Sequence, residues 1–390
     1  IMPFLMGISA LGFMIGTGGS AIVAKTLGEG KTEKANEYFS MLVYITAIGG
    51  IIIAILSMFL VKPVAILFGA SGTLLDNCIL YGRILCISLP AFMLQNVFQS
   101  FFVTAEKPHL GLRVIVIAGV TNMVLDFLFV AVLHFGLPGA GFATVCGEFI
   151  GGLFPLFYFG RKNSSLLKLG KTHFHGRILL KTCTNGSSEL MTNLSSSIVN
   201  ALYNMQLMKF AGEDGVAAYG TIMYVNFIFV SIFLGYAIGS APIVSYHYGA
   251  GNQDELKNLF LKSIRLIGTW AVSLFVIAQL IATPLATLFV GYDHGLFELT
   301  RNGFRLYSFA FLINGFNIYG SAFFTALNNG LLSALISFLR TLVFQMAVVL
   351  LLPLLLGING VWCSVAIAEL LTLCVTGTFI VLKRNTYHYL

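Results

Sequence analysis

The sequence predicts an all-α polytopic membrane protein built as two parallel six-helix bundles, and three observations carry that prediction. Of the 390 residues, 57% are hydrophobic and only 9% charged, with a mean hydropathy of +0.90. A soluble globular domain carries about 25% charged residues, so this chain cannot coat a water-facing surface. The apolar residues gather into stretches long enough to cross a hydrocarbon core, which takes about 20 residues of helix. The second half of the chain also repeats the first, at an offset of 221 positions. Together these exclude a cytosolic enzyme, a nucleic-acid-binding domain and a secreted disulfide scaffold. The bilayer is an expected partner and nucleic acid is not.

Eleven spans follow in order, roughly 1–24, 38–60, 78–104, 110–133, 139–160, 186–210, 216–244, 262–290, 304–327, 331–355 and 360–382. Short loops rich in Gly, Asn, Lys and Glu separate them. Continuous apolar runs rule out a transmembrane β-barrel, whose strands alternate over about ten residues. Span 186–210 is the most polar, reading "NGSSELMTNLSSSIVNALYN". Such a helix cannot face lipid and is expected at a wet cavity or a helix interface. The six cysteines show no CxxC pair and read as free thiols in packed helices. The formal charge of +7 is accounted for by orientation: Lys and Arg alternate between loops, with about three times as many on the side of loop 25–37, which is therefore cytoplasmic.

The expected organisation is an N-terminal lobe over 1–160, a basic cytoplasmic linker over 161–183 and a C-terminal lobe over 184–390. The 221-residue offset aligns Gly28, Gly30 and Phe39 with Gly249, Gly251 and Phe260. It also aligns Pro63 with Pro284, and Gly136, Gly139 and Glu148 with Gly357, Gly360 and Glu369. Six spans per repeat would insert both copies in the same direction, related by a pseudo-two-fold axis along the membrane normal. Span 186–210 has no partner in the first copy, and the chain opens on Ile1 inside an apolar run. The expectation is an intact protein of twelve spans beginning about 40–60 residues earlier, with its first helix missing here and eleven visible.

Two features resemble motifs. "LGEGKTEKAN" ends like a phosphate-binding loop, but its first required glycine is Lys25, and the copy "YGAGNQDELKN" has no Lys-Ser/Thr. A helix stop followed by a capped linker explains both copies. The in-span ionisable groups Asp126, Glu148, Glu189, Glu369 and Arg340 carry more signal, because a carboxylate at the bilayer centre costs about 2.5–3.5 kcal/mol. Asn122 lies one turn before Asp126, and Thr144 one turn before Glu148, so polar groups share a face on two adjacent helices. Asn122, Asp126 and Thr144 could surround one small oxygen-rich cation site; the bland reading is an Asp bonded to a neighbouring helix. Glu148 and Glu369, being repeat-related, read first as packing residues. Glu189 divides between lining a cavity and starting a helix, and Arg340 needs a partner, with Glu369 the candidate. Polar positions Asn193, Ser196 and Asn200 along the same helix, with Glu148, are candidates for a substrate cavity. No catalytic set or metal motif emerges: the seven His residues are dispersed, and HExxH and GxSxG are absent.

The stretches "GTGGSAIVAKTLGEGKTEKAN" with its copy "GYAIGSAPIVSYHYGAGNQDELKN", "TNMVLDFLF", "GLPGAGFATV" with "GINGVWCSVAIAE", and the polar helix resemble the MATE (multidrug and toxic compound extrusion) family, in its bacterial multidrug-efflux branch. The resemblance covers nearly all of the chain. It implies twelve helices in two lobes around a V-shaped cavity, and exchange of lipophilic, often cationic compounds for H+ or Na+. In the family, an Asn and an Asp one turn apart on helix 5 and a Thr on helix 6 form an N-lobe cation site, and these fall on Asn122, Asp126 and Thr144. The family's helix-1 Asp would lie before Ile1. Some relatives carry an acidic ligand deeper in helix 7, where this chain has Ser195, Ser196, Ser197 and Asn200, which favours coupling through the N-lobe.

The sequence reading is thus a secondary active multidrug antiporter, monomeric and multi-pass in the inner (plasma) membrane. Drugs or organic cations are its partners, it has no cofactor, and H+ or Na+ is its coupling ion. A lipid-linked saccharide flippase of the same superfamily is the nearer rival, although in-span Lys and Arg to hold a pyrophosphate are few. An intramembrane enzyme is the farther one.

Overall fold

The computed structural model describes residues 2–67 and 69–389; Ile1, on which the expectation of an upstream helix opened, lies outside them. Among the described residues every regular element is helical. The order is α1 (Met2–Gly28), α2 (Thr32–Leu67), α3 (Gly72–Thr104), α4 (Pro108–Asp126), α5 (Gly136–Gly160), α6 (Gly176–Gly249), α7 (Gln253–Val290), α8 (His294–Tyr307), α9 (Phe311–Ala326), α10 (Gly330–Phe338), α11 (Gln345–Leu356) and α12 (Ile358–Tyr387). Wide π-type turns continue α4 over Phe127–Val132 and join α10 to α11 over Leu339–Phe344, and a tight turn joins α8 to α9. Counted as membrane elements, ten helices are long and apolar enough to span. One of them, the 74-residue α6, is broken at Gly212 (φ 63°, ψ −150°), so that its two arms provide the expected spans 186–210 and 216–244.

The repeated helix stop is present in both copies. Gly30 (φ 77°) and Gly251 (φ 70°) are left-handed, a backbone conformation that costs glycine nothing. After α1, the Gly30 amide bonds the Leu27 carbonyl and the Lys31 amide the Thr26 carbonyl. After α6, Gly251 and Asn252 bond Tyr248 and His247 in the same pattern. Both helices close with one paired-carbonyl cap. Asn252 then caps α7 by accepting from the Glu255 amide at 3.1 Å.

The chain forms two compact units, the first ending at Asn193 and the second starting at Leu194. In the first, α3 is the hub, packing against α1, α2 and α5, while α4 lies on α5. Its core is aromatic: Phe39 meets Phe101 and Phe159 edge-on at 4.9 and 5.2 Å, and Phe98 stacks on Phe159 at 5.7 Å. In the second unit the copy of Phe39, Phe260, packs on Phe323 at 5.0 Å and on Tyr389 at 5.3 Å. The outward face of α4 is apolar and exposed, with Met123 and Phe127 among its most open side chains. In a membrane protein that surface faces lipid.

The helix of α6 begins at Gly176, inside the stretch expected to be linker, so the non-helical connection is 161–175. Arg177 and Lys181 depress the hydropathy there without opposing helix formation, since both residue types have high helix propensity. The first turns of α6 cross α1 closely enough that a Cβ at Gly18 would strike the Thr182 carbonyl, and one at Gly186 the Met14 carbonyl. This crossing draws 176–193 into the first unit.

Candidate ion site in the first unit

Asn122 and Asp126 occupy the last turns of α4, and Thr144 the third turn of α5. Glycines on α5 bring the two helices together: a Cβ at Gly147 would come within 2.9 Å of the Ala118 carbonyl and 3.1 Å of the Asn122 Cβ. At that separation Asn122 donates its Nδ2 to Thr144 Oγ1 at 3.4 Å, while the Thr144 hydroxyl donates to the Ala140 carbonyl at 3.1 Å. That bond engages the Asn122 amide nitrogen and leaves its carbonyl oxygen as an acceptor. Asp126 Oδ1 is buried and accepts no hydrogen bond. Asp126 sits where α4 passes into the wide Phe127–Val132 turn, and such turns recur at functional sites because they re-aim the side chains around them.

Two residues of α3 that the sequence reading missed complete the setting. Tyr81 lies beside Thr144 and within the electrostatic reach of both Asp126 and Glu148. Ser88 lies beside Glu148, its hydroxyl donating to the Leu85 carbonyl at 3.2 Å. Tyr81 and Ser88 are seven residues apart and so share one helix face. That spacing of polar residues in an otherwise apolar span was the available signal.

The expected cation trio is therefore contiguous only in part: Asn122 and Thr144 are bonded, and Asp126 is one turn away on the same helix. Glu148 stands one turn beyond Thr144, and no Lys or Arg forms an ion pair with it among the described residues. The α6 candidates lie along its first arm. Asn193 donates to the Glu189 backbone carbonyl at 2.8 Å, Asn200 accepts from the Tyr219 hydroxyl at 3.1 Å, and Ser196 is exposed.

The second unit treats the equivalent positions differently. At the 221-residue offset, Asn122, Asp126 and Thr144 become Val343, Ala347 and Val365, and Gly119 becomes Arg340. Glu369, the copy of Glu148, is 2% exposed and pairs with Arg340, whose Nη2 is 2.8 Å from Oε1, as the sequence led one to expect. The Arg340 Nε also donates, at 2.9 and 3.0 Å. Asn317 of α9 adds bonds of 2.7 Å to Glu369 Oε2 and 2.8 Å to its backbone carbonyl. A buried carboxylate so compensated has no need of an exchangeable ion.

Comparisons with known proteins agree with this architecture. The multidrug export protein MepA of Staphylococcus saprophyticus is 21% identical over 384 residues, covering 97% of this chain and 83% of that protein. MepA of Staphylococcus haemolyticus is 24% identical over 258 residues, 66% of this chain and 57% of its own length. Among solved structures, a MATE protein in complex with MaL6 superposes with a TM-score of 0.94 at 23% identity, over 99% of this chain and 87% of that one. An outward-facing multidrug resistance MATE family transporter of the MOP superfamily matches with a TM-score of 0.93, again at 23% identity and with the same coverage. The MatE family model matches residues 1–128 and 190–351, taking in both units. With that match spread over most of the sequence and the helical architecture shared, the chain belongs to the MatE family, as a multi-pass inner-membrane transporter and not an enzyme.

Proposed function

We propose that the protein is a secondary active multidrug efflux antiporter that exchanges lipophilic or cationic compounds for H+ or Na+ by alternating access, with Asp126 carrying the coupling ion. The observation that carries this reading is the Asp126 Oδ1 atom, buried without a hydrogen-bond donor one turn from the Asn122–Thr144 pair. A carboxylate so placed is satisfied either by a proton or by a small hard cation that also takes the Asn122 and Thr144 oxygens. The names of the MepA relatives support drug export as the transported class. In the first unit Glu148, Glu189 and Asn193 offer acceptors to a cationic drug, and in the second unit Ser196 and Asn200 are further polar candidates. Transport requires only that ion and drug favour different conformations, since a ligand shifts an equilibrium by its differential affinity. Arg340 supports placing the coupling in the first unit, because it neutralises the second unit's equivalent acid from within.

The test is Asp126→Asn in proteoliposomes loaded with a fluorescent cationic dye, driven in turn by a pH gradient and by a Na+ gradient. Gradient-driven transport is lost while thermal unfolding stays near that of the parent protein. Undiminished transport in a folded Asp126→Asn protein overturns the mechanism, and the two gradients separate H+ from Na+ coupling.

A further inference from the structure

The linker 161–175 has no regular structure, yet it is strapped along the flank of α2. The Asn36 Oδ1 accepts from the Lys168 amide at 2.7 Å, and Ser40 Oγ from the Gly170 amide at 3.0 Å. The Thr172 hydroxyl donates to the Glu37 carbonyl at 2.8 Å, and Tyr44 donates to the Gly170 carbonyl at 3.2 Å. His175 Nε2 lies 2.9 Å from Glu37 Oε1. Positions 36, 37, 40 and 44 share one helix face, so the strap tracks a single side of α2. Between strap and helix remains a cavity of about 490 Å³, whose charged lining is Glu33, Glu37, Lys168, Lys171 and His173.

The charges of this cavity are only partly spent. Glu37 is engaged by His175, but Glu33, Lys168 and Lys171 are exposed and form no ion pair among the described residues. One carboxylate and two ammonium groups thus face the same space. Its depth follows from its surroundings. Tyr44, one turn further along α2 than Ser40, is exposed and points its hydroxyl to the strap, as tyrosines do at the lipid headgroup level. Leu166 and Phe174 of the strap are exposed apolar residues at the same end of the helix.

We propose that this cavity seats the headgroup of an ethanolamine phospholipid, its phosphate against Lys168 and Lys171 and its primary ammonium against Glu33. A headgroup with only negative charge can use the lysines but is repelled by Glu33 and leaves that carboxylate without a partner. A choline headgroup has the positive charge but no N–H to donate to Glu33. The bound lipid ties α2 to the segment that leads into α6, and this role is independent of Asp126 and of the transport reading.

The experiment uses the full chain, delipidated in detergent, with native mass spectrometry and thermal unfolding against phosphatidylethanolamine, phosphatidylcholine and phosphatidylglycerol of identical acyl chains. Ethanolamine lipid binds several-fold better than the other two and raises the unfolding temperature most. Glu33→Gln, an exposed substitution that leaves the fold intact, turns a charge-assisted hydrogen bond into a neutral one, lowers ethanolamine-lipid binding about three- to tenfold, and reduces its preference over choline lipid. Lys168→Gln with Lys171→Gln weakens binding of all three lipids. Equal binding of ethanolamine and choline lipids by the parent protein overturns the proposal. So does a preference for phosphatidylglycerol that Glu33→Gln leaves unchanged, which would mark the strap as a basic surface for anionic lipid.

Discussion

Arg340 holds Glu369 with two guanidinium nitrogens, Nη2 at 2.8 Å and Nε at 2.9 Å from Oε1, and on the helix beside the repeat-related Glu148 the position of that arginine is Gly119. One ancestral acid position has thus been resolved in two ways. The second unit carries a tethered cation, and in the first no Lys or Arg pairs with Asp126 or Glu148 among the described residues. This asymmetry is the clearest structural reason to look for ion exchange on one side of the repeat.

Removing one partner of that pair should be worse than removing both. Arg340→Met leaves a buried unpaired carboxylate and costs about 3–5 kcal/mol, whereas Arg340→Met with Glu369→Gln recovers most of the loss. Denaturation of the purified proteins measures this. The double variant should also retain the ion dependence of transport; if its pH or Na+ dependence disappears, the pair is part of the coupling machinery.

Thr144 tests the oxygen-rich site without touching a charge. Thr144→Val removes both the acceptor for Asn122 and a ligand oxygen. It should raise the ion concentration needed for half-maximal transport about five- to tenfold, the worth of roughly one hydrogen bond. Thr144→Ser keeps the hydroxyl and should stay close to the parent. Equal behaviour of the two variants would assign the effect to packing.

The crossing of α1 and α6 has no room for a methyl group. Gly18→Ala and Gly186→Ala each place a Cβ against backbone and should cost about 1–3 kcal/mol, as overpacking does, seen as lower folded yield and unfolding temperature. Gly119→Ala, where a Cβ meets nothing within 4 Å, should be neutral or slightly stabilising, by about 0.5–1 kcal/mol.

The twin helix caps should respond as twins. Gly30→Ala and Gly251→Ala force alanine into left-handed backbone and should each destabilise by about 1–2 kcal/mol. Asparagine tolerates that conformation, so Gly30→Asn and Gly251→Asn should cost less. A large difference between the two sites in thermal unfolding would show that the caps are not equivalent.

Several of these features were legible in the sequence because they are local. The Gly30 and Gly251 stops depend on backbone conformation within five residues, and the spacing of Asn122 from Asp126 depends only on helical periodicity. Pairing Arg340 with Glu369 was accessible because two in-span charges of opposite sign on consecutive helices have few other ways to be compensated. The start of α6 at Gly176 was hidden, because Arg177 and Lys181 lower hydropathy while Thr182 and Gly186 are buried against α1. Hydropathy reports on lipid, and this segment faces protein.

By itself, then, the sequence determined the helical, membrane-spanning class, the internal repeat and the residue types available for ion chemistry. Lipid permits only structures that satisfy their own backbone hydrogen bonds, and a long apolar run has one such solution. Only the tertiary structure decided which polar groups meet. Tyr81 and Ser88 join α4 and α5 from α3, Asp126 Oδ1 is left without a donor, and the strap of 161–175 is bound to α2. Those outcomes depend on how closely helices approach, which is set by glycines such as Gly147 and Gly186 at contacts between segments distant in sequence. No local pattern announces the partner of such a contact.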